Sequence, residues 1–117
     1  MVRKADERFP RRRRIVKSAD FRSLYNTGQR LDAGMFVLFG KSNELGFHRL
    51  GLTVSRKVGG AVVRNRIKRL FREIFRKFSA EIPCHYDLVV NAKRGCATVS
   101  YEALRADFLS AARKICR

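Results

Sequence analysis

Apolar residues recur at helical spacing through the middle of the chain. Steps of three and four residues separate the members of this set, which are Ile67, Leu70, Phe71, Ile74, Phe75 and Phe78. This spacing places side chains on one face of an α-helix. We therefore predict an amphipathic helix whose apolar face packs against a core.

Basic residues line a second face of the same predicted helix. Members of this ridge lie four residues apart and are Arg64, Lys68, Arg72 and Arg76. Arg69 lies beside the ridge, and Glu73 is the only acidic residue from position 56 to position 77. A row of this kind suits a polyanion, although a basic helical face is often merely solvated.

Shorter patterns on both sides of this helix predict strands. The apolar run 34–40 lies between glycines, and 48–55 alternates with Leu50, Leu52 and Val54 on one side. A turn at 43–46 between them predicts a hairpin. Positions 86–92 alternate as well, so a strand, a helix and a strand follow in succession and imply a crossover unit.

The two ends of the chain favour helices. Ser18 is a candidate cap for a first helix with Phe21 and Tyr25 on its inner side, and Gly28 is expected to end it. Ser100 is a candidate cap for the last helix. These elements predict an α+β fold, one sheet backed by helices, in a single domain spanning residues 1–117.

Composition makes an anionic partner the main expectation. The chain has 27 Lys and Arg against 10 Asp and Glu, a net charge of +17, and self-repulsion of this size is relieved by a partner of opposite charge. Nucleic acid is favoured over an acidic membrane surface. The apolar face of the helix is needed for the core, and no stretch approaches the roughly 18 uncharged residues of a membrane span.

The first residues lack the apolar segment of a secretory signal, so we expect a cytoplasmic protein. Residues 1–14 end in the basic block Arg11 to Arg14 and are predicted to form a flexible arm.

Patterns for catalysis are missing. The acidic residues are scattered, the signatures of nucleophile elbows and phosphate-binding loops are absent, and no Cys or His spacing fits a metal site. Cys84, Cys96 and Cys116 are expected to be reduced, partly buried thiols. We predict that the chain alone is inactive, with no catalytic residue, metal, cofactor or small-molecule substrate of its own.

Aromatic residues near positive charge offer a second binding surface. Phe21, Tyr25, Phe36 and Phe39 can stack on unpaired bases, as in the recognition of single-stranded RNA. For any one of them, a place in the core is the better interpretation. Gly51 within a strand indicates either a close approach by a ligand or a bulge.

The segment from Ser55 to Arg69, followed by Arg72 and Glu73, resembles the signature of the bacterial ribonuclease P protein component. The likeness extends to 20–21, 49–55 and 86–90. It implies a mixed four-stranded sheet packed with three helices in the order αβββαβα, and a left-handed β-α-β crossover that carries the Arg64-Asn65-Arg66 helix. Gly60 departs from the polar residue that the family pattern has there.

The resemblance also implies a function. Such a protein is the accessory subunit of an endoribonuclease whose RNA is the catalyst, and the holoenzyme removes the 5′ leader of precursor tRNA with Mg2+. The residues that it implies for binding the catalytic RNA are Lys57, Arg64, Asn65, Arg66, Lys68, Arg69 and Arg72. A cleft between the first helix and the sheet would hold the single-stranded leader, lined by Phe21, Tyr25 and Phe39 with Arg14 and Lys57 as nearby charge.

Two alternatives remain at this point. A ribosomal-type structural RNA binder shares the size and composition, and a DNA-binding helix-turn-helix protein shares the basic helix. The strands around that helix disfavour the second.

Overall fold

The computed structural model describes residues 13–82 and 85–116. Within them, helices and strands follow the predicted order αβββαβα. The elements are α1 (Ser18–Thr27), β1 (Gln29–Asp32), β2 (Phe36–Ser42), β3 (Arg49–Thr53), α2 (Ala61–Phe78), β4 (Tyr86–Ala92) and α3 (Tyr101–Ile115). Short 3-10 segments lie at Ser79–Glu81 and Arg94–Thr98.

The four strands form one mixed sheet in the order β1-β2-β4-β3. β2 is antiparallel to both β1 and β4, whereas β3 and β4 are parallel. The hairpin predicted between β2 and β3 is therefore wrong, because β4 lies between them. The reason is the run Leu88, Val89 and Val90, whose side chains are all 0% exposed. A strand that is apolar on both faces is stable only at the centre of a sheet with both faces covered.

Parallel β3 and β4 are joined by α2, which confirms the predicted crossover unit. The left-handed sense of this crossover stays a prediction. β1 carries no periodic apolar pattern, and only the resemblance implied a fourth strand.

α2 and α3 cover one face of the sheet, which we call the core face. The predicted apolar face of α2 is confirmed, since Ile67, Phe71, Ile74 and Phe75 are buried there. The Phe71 ring lies 5.2 Å from that of Phe36 and 6.2 Å from that of Phe108, with edge-to-face geometry in both pairs. The main hydrophobic core is therefore formed between these helices and the sheet.

α1 covers part of the opposite face, which we call the groove face. Its cluster is small, with Leu24 and Val89 buried. A Cβ atom at Gly51 would lie 2.9 Å from the ring of Phe21, so glycine lets α1 approach β3 closely. The β3–β4 register runs continuously through Gly51, so this residue is not at a bulge, and Phe21 takes the space considered for a ligand.

Two of the three residues predicted to begin or end helices are confirmed. Gly28 ends α1, and the Ser100 hydroxyl accepts a hydrogen bond from the Ala103 N–H at 3.2 Å, as predicted. The Ser18 cap is wrong. The Lys17 carbonyl accepts from the N–H groups of Asp20 and Phe21, so the helix begins one residue earlier than a Ser18 cap would require.

The segment before α1 lies along the free edge of β3. Arg14 forms a parallel bridge with Leu50, and the Ile15 N–H donates to the Leu50 carbonyl at 2.9 Å. Arg14, assigned to a flexible arm, is thus placed against the sheet, and the Arg13 guanidinium lies 5.5 Å from the centre of the Phe47 ring. Residues 1–12 of that arm lie outside the described residues.

Two of the three cysteines are described. Cys96 and Cys116 are both 0% exposed, more deeply buried than expected. Cys96 is a free thiol, and burial raises its pKa to about 11. Cys84 lies outside the described residues.

Candidate nucleic-acid interface

Predicted RNA-binding side chains on α2 point in several directions. Lys68 and Arg72 lie on the flank toward β3, where they share a pocket with Arg14. Arg66 lies on the opposite flank and donates a hydrogen bond to the Ala97 carbonyl in the segment before α3. Two more, Asn65 and Arg69, are exposed. The basic surface therefore wraps around the helix and is wider than a single ridge.

Three cations converge at the edge of β3. Arg14, Lys68 and Arg72 line a pocket of about 160 Å³ whose other walls are apolar, formed by Ile15, Val16, Leu50 and Leu52. We call this the cation pocket. Burial, and secondly the charge of Arg14, lower the pKa of Arg72. No carboxylate among the described residues lines the pocket, so a bound anion would relieve the repulsion there.

The cations at the two ends of the predicted ridge differ in their partners. Arg76 forms an ion pair with Glu73, and Lys77 lies 3.7 Å from the same carboxylate. At the other end, the Nε atom of Arg64 is shielded from solvent and has no hydrogen-bond partner in the described part of the chain. Within residues 13–82 and 85–116, no ion pair is found for Arg64, Arg66 or Lys68, so positive charge without an internal counter-charge is concentrated in the first turns of α2.

The groove between α1 and the sheet brings the predicted aromatic residues together. The rings of Phe21 and Tyr25 are 6.3 Å apart, and that of Tyr25 stands edge-on to Phe39 at 4.9 Å. All three side chains are partly buried. Phe21, Tyr25 and Phe39, with Thr53 and Asn91 beside them, form what we call the aromatic groove. It presents ring surface to solvent, as stacking on a base requires.

The other residues proposed for this surface lie elsewhere. Phe36 is 0% exposed on the core face, because side chains alternate along β2 and Phe39 takes the opposite side. Arg14 lies in the cation pocket, and Ile15 projects toward α1 instead. Lys57 is exposed in the turn that follows β3. The predicted combination of Arg14 with the aromatic cleft is therefore not found.

Sequence reasoning missed three polar residues around the groove. Arg30 is paired across the strands with Phe39 and is exposed. Thr53 and Asn91 are paired between β3 and β4. Alternation along the two strands placed Thr53 and Asn91 on the side away from the core, which was the available signal. Arg30 belongs to β1, whose sequence shows no alternation of apolar and polar residues that could have indicated its side of the sheet.

An ion-pair network holds one end of α1 to the sheet. The Arg49 guanidinium donates to both carboxylate oxygens of Asp87, at 2.8 and 2.6 Å, and lies 3.8 Å from Asp20. Hydrogen bonding to Asp87 raises the pKa of Arg49. Asn43 also donates to Asp87, at 2.8 Å. The groove wall formed by α1 is therefore tethered where the helix begins.

Neither a metal site nor a membrane span is found in the parts described. Residues 13–82 and 85–116 contain no group of three or more His, Cys, Asp or Glu side chains placed to hold a metal ion. None of the helices in these ranges combines the length and apolar character needed to cross a bilayer.

A mixed sheet with a basic crossover helix on one side and an aromatic groove on the other defines a small α+β protein suited to a polyanionic partner. The family model for ribonuclease P matches residues 9–116. The ribonuclease P protein component of Thermotoga petrophila is 38% identical over 109 residues, covering 93% of this chain and 91% of the relative. That of Alkaliphilus metalliredigens is 33% identical over 102 residues, with 87% and 92% covered. The chain belongs to the ribonuclease P protein component family.

Solved structures agree with this assignment. The ribonuclease P protein of Thermotoga maritima superposes with a TM-score of 0.80 at 32% identity, covering 87% of this chain and 96% of that one. The Staphylococcus aureus ribonuclease P protein gives a TM-score of 0.77 at 32% identity, with 90% and 98% covered. The fold and the resemblance seen in the sequence are both confirmed.

Family membership gives the chain a general role. It is the protein component of a ribonucleoprotein endoribonuclease that acts in tRNA 5′ processing, and the RNA of ribonuclease P is its partner. The ribosomal-type and helix-turn-helix alternatives are not supported.

Proposed function

We propose that this chain assists a catalytic RNA in the magnesium-dependent endonucleolytic removal of 5′ leaders from precursor tRNA, in the cytoplasm. The observation that carries the proposal is the cation pocket. Arg14, Lys68 and Arg72 are held together on a chain of net charge +17, with no carboxylate lining the pocket among the described residues. Positive charge concentrated in this way is stabilised when RNA phosphates neutralise it.

In this proposal the basic surface of α2 binds the catalytic RNA. The residues assigned to it are Lys57, Arg64, Asn65, Arg66, Lys68, Arg69 and Arg72. Each phosphate that is neutralised releases condensed counterions, so affinity depends on salt. The two flanks of α2 can contact separate phosphates, because Arg66 and Arg72 project from opposite sides.

The aromatic groove would hold the single-stranded leader of precursor tRNA. Phe21, Tyr25 and Phe39 supply stacking surface, and exposed Arg30 supplies charge beside Phe39. Arg14 would act from the cation pocket across β3, on RNA that continues past the groove. The Mg2+ needed for hydrolysis would be held by the RNA, and the protein alone would be inactive.

Reconstitution tests the proposal. The chain is added to ribonuclease P RNA at low Mg2+, and cleavage of precursor tRNA is measured for the mixture and for each component alone. We expect the mixture to be much faster than the RNA alone, and the protein alone to be inactive. A mixture no faster than the RNA, or cleavage by the protein alone that a single side-chain change abolishes, would contradict the proposal.

A charge variant tests the cation pocket itself. Arg72→Gln should weaken binding to the RNA and flatten the plot of log affinity against log salt by about 0.7 to 0.9 for one lost phosphate contact. Arg113→Gln is the matched control, because this exposed side chain lies on α3 and pairs with Glu81. Equal salt slopes for both variants would show that the pocket does not contact phosphate.

A further inference from the structure

The Tyr25 hydroxyl joins α1 to two strands of the sheet. It lies 2.9 Å from Thr53 Oγ1 on β3 and donates to Asn91 Oδ1 on β4, also at 2.9 Å. Thr53 and Asn91 are register partners, so their side chains stand next to each other. Thr53 is exposed and Asn91 is partly buried. This polar group lies within reach of solvent beside the rings of Tyr25 and Phe39.

The hydrogen bonds of Tyr25 leave part of the hydrogen-bonding capacity of Thr53 and Asn91 unused. A tyrosine hydroxyl has one proton, and here it goes to Asn91, so the Thr53 hydroxyl must donate to the Tyr25 oxygen. The Asn91 amide keeps two N–H donors, and Thr53 keeps acceptor lone pairs. Within residues 13–82 and 85–116, neither side chain forms another side-chain hydrogen bond. The groove thus presents a fixed donor next to a fixed acceptor.

A donor and an acceptor beside ring surface suit the edge of an unpaired base. Stacking alone tolerates every base, since each has a π-face. Bases differ in the order of donors and acceptors along their edges, and proteins read single-stranded RNA by hydrogen bonds to those edges. A fixed polar group also disfavours the wrong base, because a mismatch leaves that group unpaired.

We propose that Asn91 and Thr53 read one base of the leader and so determine specificity. The inference rests on the proposed function, in which the aromatic groove holds the leader. The Tyr25 side chain has two roles in this recognition. Its ring offers stacking surface, and its hydroxyl is a positioning group that orients the Asn91 amide.

The competing explanation is that these hydrogen bonds only hold α1 against the sheet. In that case, removing them would weaken the handling of every leader equally. The test must therefore compare the four nucleotides at each leader position, and overall activity alone does not decide.

The experiment uses the reconstituted holoenzyme and a pool of precursor tRNAs randomised through the leader. Competitive cleavage followed by sequencing gives relative kcat/KM for each nucleotide at each position. We expect the natural chain to discriminate by about 5-fold or more at one position, as fixed hydrogen bonds to a base allow. Asn91→Leu should reduce that discrimination to within about 2-fold and leave the other positions unchanged.

Two further variants separate base reading from positioning. Asn91→Asp keeps an oxygen for the Tyr25 hydroxyl and replaces the donor NH2 by an acceptor, so the order of preferred nucleotides should change at the same position. Thr53→Val removes the acceptor from an exposed site and gives a second test if Asn91→Leu fails to fold. Asn26→Leu, an exposed amide of α1, is the matched control and should leave the profile unaltered.

Each outcome is decisive. Identical nucleotide profiles for the natural chain, Asn91→Asp and Thr53→Val would overturn the inference, as would an equal loss for all four nucleotides. If precursor still binds more tightly than mature tRNA in that case, the proposed leader groove survives and only base reading is lost. If the natural holoenzyme binds precursor and mature tRNA equally, the leader groove itself fails, and base reading with it.

Discussion

The two faces of the same sheet differ in how completely they are covered. On the core face, Phe36, Leu38, Leu88 and Val90 are all 0% exposed beneath α2 and α3. On the groove face, one short helix covers Val89, while the neighbouring Phe39 remains half-buried. Neighbouring residues of a single strand therefore meet a dry core on one side and an accessible groove on the other.

Under the proposed function, this difference assigns stability and recognition to separate faces of one small domain. Close packing makes the core face sensitive to the loss of even small volumes. The groove face leaves aromatic surface and hydrogen-bonding groups accessible, which costs hydrophobic burial but leaves that surface free for the proposed contact with RNA. Substitutions on the two faces should therefore have different consequences.

The largest effect is expected at the centre of the core face. Phe71→Ala removes a ring that is 0% exposed and contacts Phe36 and Phe108. It should lower the free energy of unfolding by about 3–5 kcal/mol. Denaturant titration measures this loss. Binding to precursor and mature tRNA should weaken to the same extent, and a selective loss for precursor would break the distinction between the faces.

Gly51→Ala tests how closely α1 is packed on the groove face. Its Cβ would lie 2.9 Å from the Phe21 ring and 3.1 Å from Ile15 Cβ, so α1 must shift. We expect a loss of about 1–3 kcal/mol in unfolding free energy, together with weaker precursor binding. Gly60→Ala is the control, because nothing lies within 4 Å of its Cβ position. Equal stability of the two variants would show that α1 adapts freely.

Phe39→Ala should affect recognition more than stability. If the ring stacks on a leader base, precursor binding should weaken by about 1–3 kcal/mol, roughly 5- to 150-fold, with little change for mature tRNA. Phe78→Ala is matched to it, since Phe78 is also partly buried but packs against the main core beneath Arg105. An equal loss for both RNAs in Phe39→Ala, with a lower melting temperature, would mean that Phe39 only fills space.

The smallest expected effect is on the pH dependence of the free energy of unfolding, through a histidine buried beside the core. His48 is 5% exposed, and burial lowers its pKa below the ordinary value of 6.5, with His85 and Arg13 adding to the shift. Its Nδ1 accepts from the Tyr86 N–H at 3.1 Å, and Nε2 lies 3.3 Å from the Ile82 carbonyl, so the neutral ring is the folded form.

The direction of this pH dependence follows from whether the folded or the unfolded chain takes up the proton first. Above pH 6.5 the ring is neutral in both states, and its contribution to stability is complete. As the pH falls below that value the unfolded chain takes up the proton first, so stability is lost until the folded pKa is passed. Unfolding free energies at about pH 7.5 and about pH 5.5 should differ less for His48→Gln than for the natural chain. His85→Gln removes one of the smaller causes of the shift and should keep most of the natural dependence, because burial is the largest cause.

Local patterns were enough to predict much of this molecule. The apolar face of α2 and the caps Gly28 and Ser100 depend on residues a few positions apart, and the structure confirms them. The grouping of Phe21, Tyr25 and Phe39 followed from the family resemblance and from aromatic residues near basic ones. Their contacts with RNA stay a prediction.

Features that depend on distant residues were predicted poorly. Pairing of β2 with β4 depends on contacts such as Leu38 with Val90, which no local pattern contains. β1 has a single partly buried apolar residue, Leu31, so it has no alternation to detect. Arg14 was assigned to the wrong side of β3, because the direction of its side chain is set by the bridge to Leu50.

The position of β4 has a consequence for synthesis. This strand is the last of the four to leave the ribosome, yet it lies between β2 and β3, which do not pair with each other. A nascent chain therefore exposes its cationic segment before either the core or the groove can form, and both arise together once residues 86–92 have emerged. Folding must await a contact that closes a long loop of chain. Translation products that stop short of β4 would carry most of the positive charge of the protein without the folded core and groove that position it.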